Sequence, residues 1–209
     1  MADKLPRLGL LLSGRGSNYM AIGAAVERRA LTAEIGVVIS DREDAPGLAH
    51  ARATGLDALF LSPRGFDREA YDRKLVAELE ARAVDLVCLA GFMRIITPYF
   101  VRAFRHRILN IHPSLLPAFP GLAAQRQALE YGVKVSGCTV HLVDEGVDTG
   151  PIIAQAAVPV RPGDTVAALS ARILEQEHRL YTEAIRIVLE GRWWVEGRRV
   201  VLEESEGAY

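Results

Sequence analysis

The stretch Asn110-Ile111-His112-Pro113-Ser114-Leu115-Leu116-Pro117 carries the residue types best suited to chemistry in this chain. It follows an apolar run that reads as a buried strand, and alternate residues of a strand face the same side, so Asn110 and His112 project together. An amide beside an imidazole suits acyl-type transfer. Attack on a carbonyl builds negative charge on oxygen, and donors already in place there stabilise it. Asn110 donates through its NH₂ group, and a protonated His112 donates while adding positive charge. The alternative is a structural histidine that caps the strand end. The prolines Pro113 and Pro117 stiffen the loop that follows and lower the entropy needed to hold a site in shape.

Downstream lies Asp144-Glu145-Gly146-Val147-Asp148-Thr149-Gly150-Pro151, rich in acids and glycine. A carboxylate near an imidazole favours its charged form and fixes its orientation, so Asp148 is the candidate partner of His112. It is also placed to form a simple Asx-turn, and sequence alone leaves the two readings open. A second candidate site is Ser13-Gly14-Arg15-Gly16-Ser17-Asn18, between a strand and a helix-like run. Helix starts present unpaired N–H groups and a positive dipole end to anions. Gly14 and Gly16 allow close backbone approach, while Ser17 and Asn18 can cap the helix or donate to phosphate oxygens. Tyr19 stands where the dinucleotide fingerprint needs its third glycine, and the Gly-Lys-Ser/Thr ending of a P-loop is missing, so neither NAD nor ATP is indicated. A purely structural tight turn is the competing reading.

The elements that position these residues alternate. Strand-like runs at Leu8–Leu12, Ile35–Ile39, Asp57–Leu61, Asp85–Ala90 and Arg107–Ile111 are separated by helical stretches after Asn18 and at Pro46–Thr54, Asp67–Arg82 and Pro98–Ala103. Such βαβ alternation predicts an α/β fold, a mostly parallel twisted sheet with helices on both faces. In such sheets ligands bind at the carboxyl ends of strands. Further strands are expected at Val135–Val143 and Ile152–Val160, with Gly137 marking a bulge or a close backbone approach. A long helix spans Asp164–Leu189, with Asp164 the expected N-cap. Trp193–Val195, Gly197 and Arg199–Leu202 suggest antiparallel strands at the C-terminus. With no repeat or linker, residues 1–209 read as one domain, 1–111 forming a phosphate-binding βαβ half and 112–209 a C-terminal portion.

Bulk properties narrow the class. Half of the 209 residues are hydrophobic, enough for one sizeable core, and 25 Lys and Arg against 26 Asp and Glu give a net charge of −1. That lacks the basic surplus of a general nucleic-acid binder. The N-terminus carries charges of both signs without a signal-peptide core, and no apolar run reaches the ~18 residues of a membrane span. The expectation is a cytoplasmic protein without membrane or nucleic-acid partners. Cys88 and Cys138 read as buried thiols. His50, His106, His141 and His178 show no paired metal spacing and read as structural or surface groups. Trp193 and Trp194 read as core packing.

Together these segments resemble the folate-dependent phosphoribosylglycinamide formyltransferase (GAR transformylase) family. The resemblance rests on Leu12-Ser13-Gly14-Arg15-Gly16-Ser17-Asn18, Leu89-Ala90-Gly91-Phe92-Met93-Arg94-Ile95, Asn110 to Pro117, and Gly137 to Gln155 with its Asp148-Thr149-Gly150-Pro151. It runs in matching order from Leu8 to about Arg192. It implies a Rossmann-like formyltransferase fold and metal-free transfer from 10-formyltetrahydrofolate to the amine of glycinamide ribonucleotide. Asn110, His112 and Asp148 would be catalytic. Gly16, Ser17 and Asn18 would hold phosphate, Gly91 would offer its backbone to the amine, and Glu177 would contact ribose. Arg64, Met93, Arg94, Ile95, Asn110, Val143 and Asp144 would contact folate. The working state would be a monomer or weak homodimer.

The chain departs from the pattern at Ala123-Ala124-Gln125, where the family commonly has a histidine, and at Leu174, where some relatives carry a polar contact. Sister enzymes that formylate methionyl-tRNA or deformylate formyltetrahydrofolate are expected to carry an added domain. A non-catalytic phosphosugar-binding protein would explain the glycine loop but not the trio.

Overall fold

The computed structural model describes residues 4–203. Nine strands form one sheet: β1 (Arg7–Leu12), β2 (Glu34–Ser40), β3 (Ala58–Phe60), β4 (Leu86–Leu89), β5 (Ile108–His112), β6 (Val135–Leu142), β7 (Ile152–Pro159), β8 (Trp193–Glu196) and β9 (Arg199–Leu202), in the order β3-β2-β1-β4-β5-β6-β7-β9-β8. The first five strands of that order run parallel, as the alternation predicts. From β5 onward the chain returns antiparallel through β6 and β7, and a terminal hairpin of β8 and β9 joins through the parallel pair Ile152 and Arg199.

Period-two alternation sorts the parallel strands onto two cores. Leu8, Leu10 and Leu12 of β1 and Leu86 and Cys88 of β4 face one side. There they meet α1 (Ser17–Glu27), α2 (Pro46–Ala53) and α6 (Val166–Glu190) through Tyr19, Ile22, Leu48, Ile173 and Tyr181. Leu11, Val37, Ile39, Val87 and Leu89 face the other side, against α3 (Arg68–Ala81) and α4 (Pro98–Ala103) through Tyr71, Leu75 and Phe100. Both cysteines are buried and free.

Four local expectations change or narrow. The helix α5 (Ala124–Tyr131) was not anticipated, because AQRQALEY buries only Ala124 and Ala128 and so shows no apolar stripe. Thr165, not Asp164, caps α6 by accepting from the Ala168 N–H; Asp164 instead holds Arg172 through two bonds of 2.8 and 2.9 Å. Gly137 marks a close approach rather than a bulge. A Cβ there would overlap the Ala156 carbonyl oxygen, while the register shift of the β6–β7 pair falls at Val140/His141. Of the tryptophan pair, Trp193 packs against the core but Trp194 is exposed.

Chain order reverses about β1. It pairs with β2 on one side and β4 on the other, so the crevice beyond the ends of β1 and β4 is the topological switch point where open α/β sheets bind ligands. The Ser13–Asn18 and Ala90–Ile95 segments both open onto it, tied together by Met93 N–H to Ser13 Oγ at 2.9 Å and Ser13 N–H to Gly91 O at 3.1 Å.

Candidate active site

The structure brings Asn110, His112 and Asp148 together. Asn110 Nδ2 donates to Asp148 Oδ1 at 3.3 Å, and His112 Nδ1 lies 3.2 Å from Asp148 Oδ2. Asp148 itself sits at φ 53, a left-handed conformation that costs a non-glycine residue about 1–2 kcal/mol. Its carboxylate is gripped in return. The Gly121 N–H donates to Oδ2 at 2.8 Å, and His141 Nε2 stands 3.6 Å from Oδ1. Burial pushes the Asp148 carboxyl up, but the adjacent His141, the Gly121 N–H bond and the His112 imidazole outweigh it and hold the group below its ordinary range.

His141 belongs to this cluster rather than to the surface or the inert core. The antiparallel pairing of β5 with β6 sets it directly opposite Asn110, whose Nδ2 is 3.3 Å from His141 Nε2, while its Nδ1 lies 2.8 Å from the Leu142 carbonyl. No spacing in the sequence signals this, because residues 31 apart become neighbours only through strand pairing. Thr139 and Gln155 are two further residues outside the expected set. Thr139, opposite His112, donates to Ser114 O at 2.7 Å and accepts from the Leu116 N–H at 3.0 Å. Gln155 donates to Leu116 O at 2.9 Å. These bonds fix the loop that follows His112. On that loop the Phe119 carbonyl accepts from His112 Nε2 at 2.8 Å, and since a carbonyl can only accept, Nε2 carries a hydrogen.

At the β1–α1 turn, Gly16 is the N-cap at φ 73, and no side chain caps the helix, so Ser17 and Asn18 do not act as caps. A Cβ on Gly16 would stand 2.9 Å from the Tyr19 ring and 3.1 Å from Gly47, so glycine is needed there for space as well as conformation. Asn18 is buried and donates to Glu177 Oε2 at 2.8 Å, and its own Oδ1 is buried and has no partner among the described residues. Burial raises the Glu177 carboxyl above its ordinary value, partly offset by the Asn18 bond. Tyr181, one turn further along α6, donates to Leu89 O at 3.1 Å and Leu109 O at 3.0 Å; this fixes α6 on the sheet and with it the reach of Glu177.

The remaining expected residues line the rim. Met93 and Ile95 are 69% and 58% exposed, two uncovered apolar side chains beside the switch point, and Arg94 lies over the Tyr71 ring. Asp144 Oδ1 shapes its own loop, accepting from the Gly146 N–H at 3.1 Å and from Thr149 Oγ at 2.6 Å; Val143 N–H donates to Ile108 O. Arg64 is exposed on the loop after β3, toward the sheet edge, and the structure gives it no bond to the other site residues. The Ala123-Ala124-Gln125 departure falls at the left-handed step, φ 58 at Ala123, into α5. Among the described residues no group of His, Cys, Asp and Glu is arranged to hold a metal, and no helix is long and apolar enough to cross a membrane.

A doubly wound sheet with an amide, an imidazole and a carboxylate converging at a strand end, beside a helix start that attracts anions, defines an acyl-type group transferase. The formyl transferase family matches residues 7–185. The phosphoribosylglycinamide formyltransferase of Escherichia coli (strain K12) is 44% identical over 199 residues, covering 91% of this chain and 94% of that protein. The trifunctional purine biosynthetic protein adenosine-3 of Drosophila melanogaster is 47% identical over 194 residues; the match covers 91% of this chain but spans only 14% of that protein. A crystal structure of glycinamide ribonucleotide transformylase 1 from Symbiobacterium toebii superposes with a TM-score of 0.94 at 57% identity, covering 96% of this chain and 95% of that one. The chain belongs to the formyl transferase family, and within it to the phosphoribosylglycinamide formyltransferases.

Proposed function

We propose that this protein transfers the formyl group of 10-formyltetrahydrofolate to the primary amine of glycinamide ribonucleotide, a step of purine biosynthesis. The observation that carries the reading is the Asp148 carboxylate between Asn110 at 3.3 Å and His112 at 3.2 Å, at the end of β5 beside the switch point. In this reading the halves divide the work. Residues 1–111 form the phosphate-binding half with Gly16, Ser17 and Asn18; residues 112–209 form the folate-site and C-terminal portion, which brings Asp148, most of the polar cluster and, from α6, Glu177 at the ribose. The unpartnered Asn18 Oδ1 and the uncovered Met93 and Ile95 fit a polar ribonucleotide and a flat apolar ring respectively. Arg64, Arg94, Val143 and Asp144 complete the folate contacts, and the Gly91 backbone faces the amine.

The amine nitrogen attacks the formyl carbon and the carbonyl electrons move to oxygen. Asn110 Nδ2 and His112 Nε2 donate to that oxyanion, the latter exchanging its bond to Phe119 O for the new acceptor. Asp148 orients His112 and, through water, takes the proton that the attacking nitrogen sheds. Collapse breaks the bond to the folate nitrogen, which leaves with a proton and yields formylglycinamide ribonucleotide and tetrahydrofolate. The chemistry is orientation and electrostatics by this chain's own side chains. The reading includes a cytoplasmic setting and a monomer or weak homodimer.

The test is a turnover assay with both substrates. Tetrahydrofolate formation that requires glycinamide ribonucleotide, and that is lost in His112→Ala and Asp148→Asn with folding intact, is the expected result. Unchanged rates in both variants sink the mechanism; release of formate without the ribonucleotide points to a deformylase instead.

A further inference from the structure

The turn that carries Asp148 is strained. Its carboxylate is held from the site side, by Gly121, Asn110 and the two histidines. Beside the turn lies an open cleft of about 550 Å³, walled by α4, the Leu142–Pro151 segment and the tip of the terminal hairpin. Two struts cross it. One is the exposed pair Arg102–Glu145 at 3.5 Å, of a kind that contributes little to stability. The other is Arg198, likewise exposed at the hairpin tip, whose Nη2 makes a short bond of 2.7 Å to the Thr149 carbonyl, one peptide beyond Asp148. The hairpin is braced for this. Ile152 of β7 pairs with Arg199, the residue next to Arg198, and Gly197 at φ 61 allows the tight turn. Residues 193–202 lie outside the 7–185 segment matched by the family.

A left-handed aspartate persists where the surrounding structure over-determines it. Here the carboxylate pulls toward the site while the following peptide is held from the opposite side, so the turn is fixed between two anchors. We propose that Arg198 is a positioning residue for formyl transfer, fastening the Thr149 carbonyl so that the Asp148 carboxylate stays seated between His112 and His141. A charged donor to a backbone carbonyl is stronger than a neutral one, and it adds to the Thr149 Oγ bond to Asp144, which holds the turn only within its own loop. The inference rests on the reading above that Asp148 acts in formyl transfer.

The experiment compares Arg198→Met, which keeps the aliphatic stem but no donor, with Arg198→Lys, which keeps a cationic donor. Arg198→Met is expected to lower kcat about tenfold with KM for both substrates within about twofold and thermal stability nearly unchanged. The acid limb of its kcat–pH profile should move upward, since a carboxylate released from its donors returns toward its ordinary value. Arg198→Lys should restore most of the rate. Wild-type kcat in Arg198→Met, a loss that Lys does not recover, or a loss that merely tracks a fall in melting temperature overturns the proposal. Asp148→Asn separates the levels. If it collapses turnover while Arg198→Met is normal, only this inference fails; if Asp148→Asn itself is fully active, the formyl-transfer mechanism fails first.

Discussion

The glycine loop after β1 and the Asp148 cluster after β5 open near one crevice but are assembled in opposite ways. The loop is contiguous: six residues, Ser13 to Asn18, make a left-handed N-cap and present the first turn of α1, and backbone-level ties from Ser13 to Gly91 and Met93 and from Gly14 to Gly47, with the Asn18–Glu177 bond, hold them in place. The cluster is drawn from four separated stretches, Asn110 and His112, Phe119 and Gly121, His141, and Asp148, joined by antiparallel pairing and a strained turn. A contiguous site relies on backbone donors that side-chain replacement leaves in place, whereas an assembled one loses function when any member moves. In the proposed function the first kind tunes binding and the second carries rate.

That contrast is open to direct attack. The largest effect is expected in the cluster, where Asp148→Asn or His112→Ala should lower kcat by about 10²–10⁴ with folding retained on circular dichroism. A next step breaks the scaffold of the cluster without touching it. Gly137→Ala forces a methyl against the Ala156 carbonyl and should destabilise the protein by about 1–3 kcal/mol in urea unfolding, with turnover falling only as the β6–β7 pair yields. In the loop, Asn18→Ala should raise KM for the ribonucleotide about tenfold and leave kcat within about twofold. It also strips buried Glu177 of its donor, costing about 1–3 kcal/mol. A kcat collapse there would erase the distinction between the two regions.

Acid provides the mildest probe. Asp148 is held below its ordinary carboxyl range, so the stability it contributes is present above that range and is lost as pH falls through its depressed value. Asp164, clamped by Arg172 and the Arg161 N–H, shows the same sign with a wider window, its ordinary 3.8 lowered to about 2. Arg172→Met should therefore lower the melting temperature at neutral pH, and the gap to wild type should close as pH falls toward 2. A gap that persists below that pH would mean Arg172 acts through packing rather than through Asp164.

Much of this molecule was written in local pattern. The apolar runs gave the parallel strands and their two faces because a period of two sends alternate residues to opposite cores. Asn110 and His112 share a face for the same reason, and the loop from Ser13 to Asn18 marked a helix start. What pattern could not supply was any relation between segments. The part of His141 in the site, the grip of Gly121 on Asp148, the buried Asn18–Glu177 bond and the Arg198 strut all depend on which strand lies beside which and on how a loop closes. Asp164 shows the same limit at short range: adjacent acceptors compete for one helix start, and a tertiary arginine eight residues on decides which of them is free to cap it. Sequence thus determined the chemistry on offer and the strands that would carry it. The tertiary structure decided which groups meet, because distances between segments are set by packing and pairing over the whole sheet, and no local period encodes them.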